Sequence, residues 1–128
     1  MKKRNMLVLG AILAALTVGI GAFGAHGLRD VLAKSGKAGT FETAVRYQFY
    51  HAMAIILAGI LLGIYKNPKL KYAAWFFLIG IILFSGSLYA LSLLQLTASW
   101  MMGMIAPIGG LSFIIGWLLL ALGVRKMK

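Results

Sequence analysis

The stretch MLVLGAILAALTVGIGAFGA, residues 6–25, carries no charged side chain and follows directly on Lys2, Lys3 and Arg4. At about 1.5 Å per residue, a helix of this length covers about 30 Å, the thickness of a bilayer's hydrocarbon core. A secretory signal is the rival reading, because the basic start and the small residues from Ala22 to Ala25 imitate a cleavage site. A signal core is shorter, about 7 to 15 residues, so the length favours a retained membrane helix.

Three further apolar runs lie downstream. The second is expected at about residues 41–65, with Thr40 as its N-cap and Glu42 in the first turn, where the helix dipole favours an acid. Asn67-Pro68 closes it, since proline cannot continue the hydrogen-bond ladder. The third runs over about 72–94 and the fourth over about 101–124, joined by an uncharged turn from Gln95 to Trp100. Within the four cores there is no Asp, Glu, Lys or Arg, each of which would cost about 2.5 to 3.5 kcal/mol at a helix centre. The fold expected is all-α, a single integral-membrane four-helix bundle spanning residues 1–128.

Composition agrees. The chain is 62% hydrophobic and only 12% charged, with a mean hydropathy of +0.94, against about one quarter charged in an ordinary soluble domain. It contains no cysteine, which excludes disulfides, thiolate catalysis and cysteine-held metal or iron-sulfur centres.

Charge supplies the orientation. Lys2, Lys3, Arg4, Lys66, Lys69, Lys71, Arg125, Lys126 and Lys128 collect on one side, whereas Arg29, Lys34, Lys37 and Arg46 share the other with the only acids, Asp30 and Glu42. The positive-inside rule then places both termini in the cytoplasm. Tyr65, Tyr72 and Trp75 flank the cytoplasmic loop and Trp100 marks the opposite boundary, as in an aromatic belt. The net charge of +11 is dispersed over short segments beside apolar spans. Anionic lipid headgroups at the cytoplasmic face are the expected partner, and nucleic acid is not. In the first outer loop Leu28, Val31 and Leu32 follow helical spacing among charged residues, which fits either a short interfacial helix or a plain connection.

Small residues one turn apart, Gly59/Gly63, Ala54/Ala58, Ala15/Gly19 and Ser112/Gly116, allow helices to approach closely. With Gly86, Gly109 and Gly110 they are the candidate packing positions, either inside the bundle or for self-association with a second copy or another membrane protein. Gly19-Ile20-Gly21-Ala22-Phe23-Gly24 matches the dinucleotide fingerprint, but that motif works only between a strand and a helix, and here it closes a membrane span. Pro107, followed by Gly109-Gly110, predicts a kink.

The polar residues in the spans need a reason. His51 is expected one to three turns below the outer surface, with Tyr47 and Gln48 on its face of the helix. One reading gathers His26, Glu42, Tyr47, Gln48, His51, Ser85, Ser87 and Tyr89 around an outward-facing polar pocket, in which His51 carries protons or binds a ligand. The other has His51, Tyr47 and Gln48 hydrogen-bonding to backbone carbonyls or serines on neighbouring helices and fixing their register. A zinc site from His26, Glu42 and His51 lacks ligand spacing, so no metal and no cofactor are expected. The only acids lie in or near the outer loop, which leaves no nucleophile-histidine-carboxylate set and gives the expectation that the chain is not an enzyme.

Four motifs occur in order: Gly21-Ala22-Phe23-Gly24-Ala25-His26-Gly27-Leu28, Thr43-Ala44-Val45-Arg46-Tyr47-Gln48-Phe49-Tyr50-His51-Ala52, Leu83-Phe84-Ser85-Gly86-Ser87-Leu88-Tyr89, and Pro107-Ile108-Gly109-Gly110 with Gly116-Trp117. By these the chain resembles the family of small multi-span membrane proteins of unknown function that includes bacterial YgdD and YwdK and eukaryotic transmembrane protein 256. The resemblance covers nearly the whole chain and implies a bacterial inner-membrane protein of four spans. It brings no activity, substrate or residue role. The expected function is therefore a non-enzymatic membrane component that supports membrane integrity or a membrane complex through helix packing and lipid contacts. The alternative is a small oligomeric carrier or channel using the polar face around His51.

Overall fold

A computed structural model describes residues 1–94 and 100–125, the last stretch with side chains from Gly103 onward. The turn expected from Gln95 to Ser99, the side chain of Trp100, and Lys126 and Lys128 lie outside the described residues. Helix α1 runs Lys3–His26, α2 Arg29–Ser35, α3 Ala38–Tyr65, α4 Lys69–Gly80, α5 Gly86–Leu93 and α6 Trp100–Val124. A π-helical turn, Ile81–Ser85, joins α4 to α5, so the third span is one rod from Lys69 to Leu93. Among the described residues four helices are long and apolar enough to cross a membrane, and their even number brings Lys3 and Val124 to the same end of the bundle.

The short helix expected between the first two spans exists. It stops at Gly36, whose left-handed backbone (φ 68°) is what glycine accepts without a Cβ clash. The turn is closed by Lys37 N–H to Leu32 O at 3.1 Å and Gly36 N–H to Ala33 O at 3.3 Å, a paired C-terminal cap. Helix α3 begins earlier than expected, at Ala38. Thr40 therefore lies inside the helix and is not its N-cap, and Glu42 falls beyond the first turn. Glu42 instead accepts a 2.9 Å hydrogen bond from Arg46 one turn on, both side chains being exposed. At the far end α3 stops at Lys66 (φ 52°), and Asn67 Oδ1 accepts the Lys69 N–H at 3.1 Å before Pro68 leads into α4.

Helix α3 is the centre of the bundle. It packs along α1 on one flank and against the third span on another, while α6 packs mainly along α4 and the π-turn. The contact faces are made of small side chains. Ala52, Ala54 and Ala58 on α3 and Ala73 and Ala74 on α4 are buried, which suits a solvent where tails are as apolar as the helices and closeness must come from shape. A dry cluster of Met6, Ile55, Leu62, Leu70, Phe77 and Phe113 fills the half nearer the termini. Helix α1 buries only a narrow stripe, Met6, Gly10, Thr17 and Gly24, and turns Val8, Ile12, Leu16, Val18 and Phe23 outward. At Gly10 a Cβ would stand 2.8 Å from Ala52 O, so this crossing admits only glycine.

Pro107 lies inside α6 without ending it. Two residues on, Gly109 meets the π-turn of the third span, where a Cβ would sit 2.8 Å from Phe84 Cα. A π-turn inserts an extra residue into the helical ladder and is uncommon in helices. Here it lies at a close helix crossing, a feature the apolar periodicity of residues 72–94 does not announce.

Candidate functional site

A seam of hydrogen bonds runs from beside the dry cluster, at Phe77 and Phe113, toward the other end of the bundle, and five of its bonds join two different spans. Gln48 Nε2 on α3 donates to Leu13 O on α1 at 3.3 Å, and Tyr89 O–H on α5 donates to Gln48 Oε1 at 2.7 Å. Ser85 Oγ, at the end of the π-turn, donates to Ala44 O on α3 at 2.8 Å. Ser112 Oγ on α6 donates to Phe76 O on α4 at 2.7 Å. In hydrocarbon a polar side chain must find its partner within the protein, and a backbone carbonyl across a helix interface supplies one.

His51 lies about 20 Å along α3 from Ala38, near the middle of the helix. Its Nδ1 is 2.7 Å from Tyr47 O and its Nε2 is 3.2 Å from Trp117 Nε1 on α6. A carbonyl only accepts and an indole N–H only donates, so the partners define the neutral tautomer with the proton on Nδ1. The ring also stacks on Phe113, with centroids 3.4 Å apart and planes 8° apart. Both nitrogens and one face are thus occupied by protein.

The sequence-named polar residues separate into groups. Gln48 and Tyr89 meet, and Ser85 joins the same α3 flank one turn away. His51 and Tyr47 belong to an aromatic cluster with Phe84, Phe113 and Trp117. Ser87 bonds Phe84 O and Ser92 bonds Tyr89 O, each within its own helix turn. Glu42 lies in a separate cleft with Arg29 and Arg46, and His26 is exposed at the end of α1. The cleft that Glu42 lines does not include His51. Among the described residues no group of three or more His, Asp or Glu is placed to hold a metal ion, and no buried side-chain nitrogen or oxygen lacks a partner. Sequence reasoning gave no polar role to Trp117 or Thr17 and read Ser112 only as a small packing residue. The signal for Trp117 was present, because a tryptophan in a span needs an acceptor for its N–H and His51 is the acceptor that α3 offers at mid-span.

The glycines divide as well. Gly59 and Gly63 face α1, where a Cβ would come 3.1 Å from Met6 Cβ and 2.7 Å from Lys3 Nζ respectively, and Gly116 faces Phe77 and Ala73 O. These contacts, with that of Gly109, lie inside the bundle. At Gly19 a Cβ would meet nothing within 4 Å, and at Gly86 and Gly110 it would meet only ordinary contact distances, so these three are not close-approach positions.

Gly19 opens onto a groove of about 990 Å³ between α1 and α5. Ile12, Leu16, Ile20 and Phe23 form one wall and Leu93 the other, with Leu28, just before α2, and Val31 of α2 across its end. Phe41 and Tyr89, in edge contact with centroids 5.5 Å apart, form its floor. At the opposite end of the bundle a cleft of about 640 Å³ is lined by Lys66, Lys69 and Arg125 with Tyr65 and Asn67.

This architecture, four apolar spans tied by buried hydrogen bonds, defines a small multi-span α-helical membrane protein. The chain belongs to the family described as "Protein of unknown function (DUF423)", which matches it over residues 20–110. It is 42% identical to the UPF0382 membrane protein SH2409 of Staphylococcus haemolyticus, over 94% of each chain. It is 41% identical to the UPF0382 membrane protein YwdK of Bacillus subtilis, over 94% of this chain and 95% of the relative. The similarity to the UPF0382 membrane protein SSP2132 of Staphylococcus saprophyticus is also 41%, over 94% and 97%. No solved structure matches the chain significantly.

Proposed function

We propose that the chain is a non-enzymatic structural protein of the bacterial cytoplasmic membrane, with both termini cytoplasmic, that supports the membrane or a membrane complex through its lipid-facing surfaces. The observation that carries this reading is the closed hydrogen-bond seam. His51, Gln48, Ser85, Tyr89 and Ser112 each spend their polar atoms on protein partners, and most of these bonds link separate spans. A carrier built on His51 needs a nitrogen that faces a solute path, whereas here Trp117 and Tyr47 occupy both. The basic cleft of Lys66, Lys69 and Arg125 favours anionic headgroups, at about 1 kcal/mol per cation near the surface.

The test is twofold. In proteoliposomes, proton and cation leak should equal that of empty vesicles and be unchanged by His51→Ala; a flux that His51→Ala abolishes overturns the reading in favour of a carrier. In cells lacking the chain, uptake of a membrane-impermeant dye should rise and be restored equally by the wild-type and His51→Ala proteins.

A further inference from the structure

We propose that the groove between α1 and α5 is a lipid site that seats one acyl chain of an anionic phospholipid, with the lipid phosphate against Lys34 and Lys37. This deepens the lipid-contact part of the function proposed above and rests on it.

Three observations converge. The groove walls are aliphatic and aromatic over their whole length, from Ile12 near mid-span to Leu28 and Val31 at the end of the bundle. It opens sideways between two membrane-spanning helices, where the surrounding medium is hydrocarbon. Among the described residues its one polar lining side chain, Tyr89, has its hydroxyl bonded to Gln48, so what it contributes to the groove is ring surface. A second polar ligand group along the floor is thereby excluded, and an unbranched chain is the shape that fits.

The end of the groove supplies the charge. Leu28, just before α2, and Val31 of α2 line it and Leu32 is buried, while Lys34 follows Val31 by one turn on the same side and Lys37 comes just after the cap at Gly36. From Arg29 to Lys37 there are three cations and one acid, and the acid, Asp30, is at the other end of α2 from Lys34. Entry of a chain from the bilayer gains no hydrophobic free energy, because lipid tails are already as apolar as the groove. Retention must then come from fit along the walls and from headgroup charge, and two lysines predict a preference of about thirtyfold for phosphatidylglycerol over phosphatidylcholine, equivalent to about 2 kcal/mol.

Gly19 gives a clean probe. A side chain there enters open groove and touches no neighbouring helix, as a side chain at Gly103 enters open space elsewhere on the surface. The protein is purified in mild detergent, incubated with phosphatidylglycerol and phosphatidylcholine of identical chains, and weighed intact with its bound lipid. Wild type and Gly103→Phe should retain phosphatidylglycerol, and Gly19→Phe should lose it at unchanged helicity and elution volume. Lys34→Gln with Lys37→Gln should keep the lipid but lose the headgroup preference. Independently of any variant, phosphatidylglycerol with a photoactivatable acyl chain should label Leu16, Phe23 and Leu93 above the outward residues Ile108 and Leu118. Equal retention by Gly19→Phe, or uniform labelling, overturns the proposal. Dissociation of a dimer by Gly19→Phe overturns it too, since the occupant is then a second copy. None of these results depends on flux or dye uptake, so the site and the broader structural role stand or fall separately.

Discussion

If His51 is a structural clamp, its bond to Trp117 has a measurable coupling energy, and a double-mutant cycle isolates it. His51→Phe preserves a ring over Phe113, where the stack has a centroid distance of 3.4 Å, but removes both nitrogens. Trp117→Phe removes the indole N–H and keeps an aromatic ring near Phe77, whose centroid lies 5.1 Å away. Interhelical hydrogen bonds in membranes average about 0.6 kcal/mol in such cycles, with a maximum of about 1.7. The 3.2 Å separation lies at the long end of the N–H range, so the coupling expected here is about 0.6 to 1 kcal/mol. The single change Trp117→Phe should cost more, about 1 to 3 kcal/mol, because it leaves His51 Nε2 unpaired at mid-span. Reversible unfolding by dodecyl sulfate in mixed micelles, followed by helicity and not by tryptophan emission, measures all four corners. A coupling within about 0.3 kcal/mol of zero would refute the clamp, since the histidine would then be held by its surroundings without the bond and be free for another role.

Further outcomes follow from the same contacts. Gly109→Ala should destabilise by about 1 to 3 kcal/mol, because the Phe84 backbone cannot retract as a side chain would, whereas Gly110→Ala, facing Phe84 Cδ2 at 3.9 Å, should be neutral or mildly stabilising in thermal unfolding. Ser85→Ala should cost about 0.5 to 1.5 kcal/mol in the same assay, with no orphaned group, since Ala44 O keeps its place in α3. Gly36→Ala forces a Cβ onto a left-handed residue and should cost about 1 to 2 kcal/mol, seen as faster proteolysis in the loop between α2 and α3. Glu42→Gln breaks only an exposed pair and should change stability by less than about 0.5 kcal/mol.

The spans were legible because hydrocarbon imposes one rule on every residue, and the charge-free run of 6–25 states it without ambiguity. The helix in the first loop was legible from Leu28, Val31 and Leu32, whose spacing has a mechanism. The start of α3 was not, because Thr40 and Glu42 look like capping residues yet tertiary contacts of Phe41, buried beneath α1 and α5, draw the helix back to Ala38. The polar residues were legible as unusual but not as partners. Gln48 and Tyr89, or His51 and Trp117, meet only through the rotation of separate helices, which no local pattern encodes. The π-turn escaped for the same reason. Phe84 and Ser85 resemble their apolar and small neighbours, and what fixes the extra residue is the contact with Gly109 on another span.

The narrow stripe by which α1 touches α3 has a consequence for how the chain is made. Gly10 against Ala52 and Gln48 against Leu13 O both fall within residues 1–65, so the first hairpin has its interhelical contacts complete as soon as its second helix has left the ribosome. What that hairpin lacks is a donor for Gln48 Oε1, which stays open until Tyr89 arrives on the third span. The amide thus works as a vectorial latch: one end closes within the nascent hairpin, and the other records that the later spans have docked.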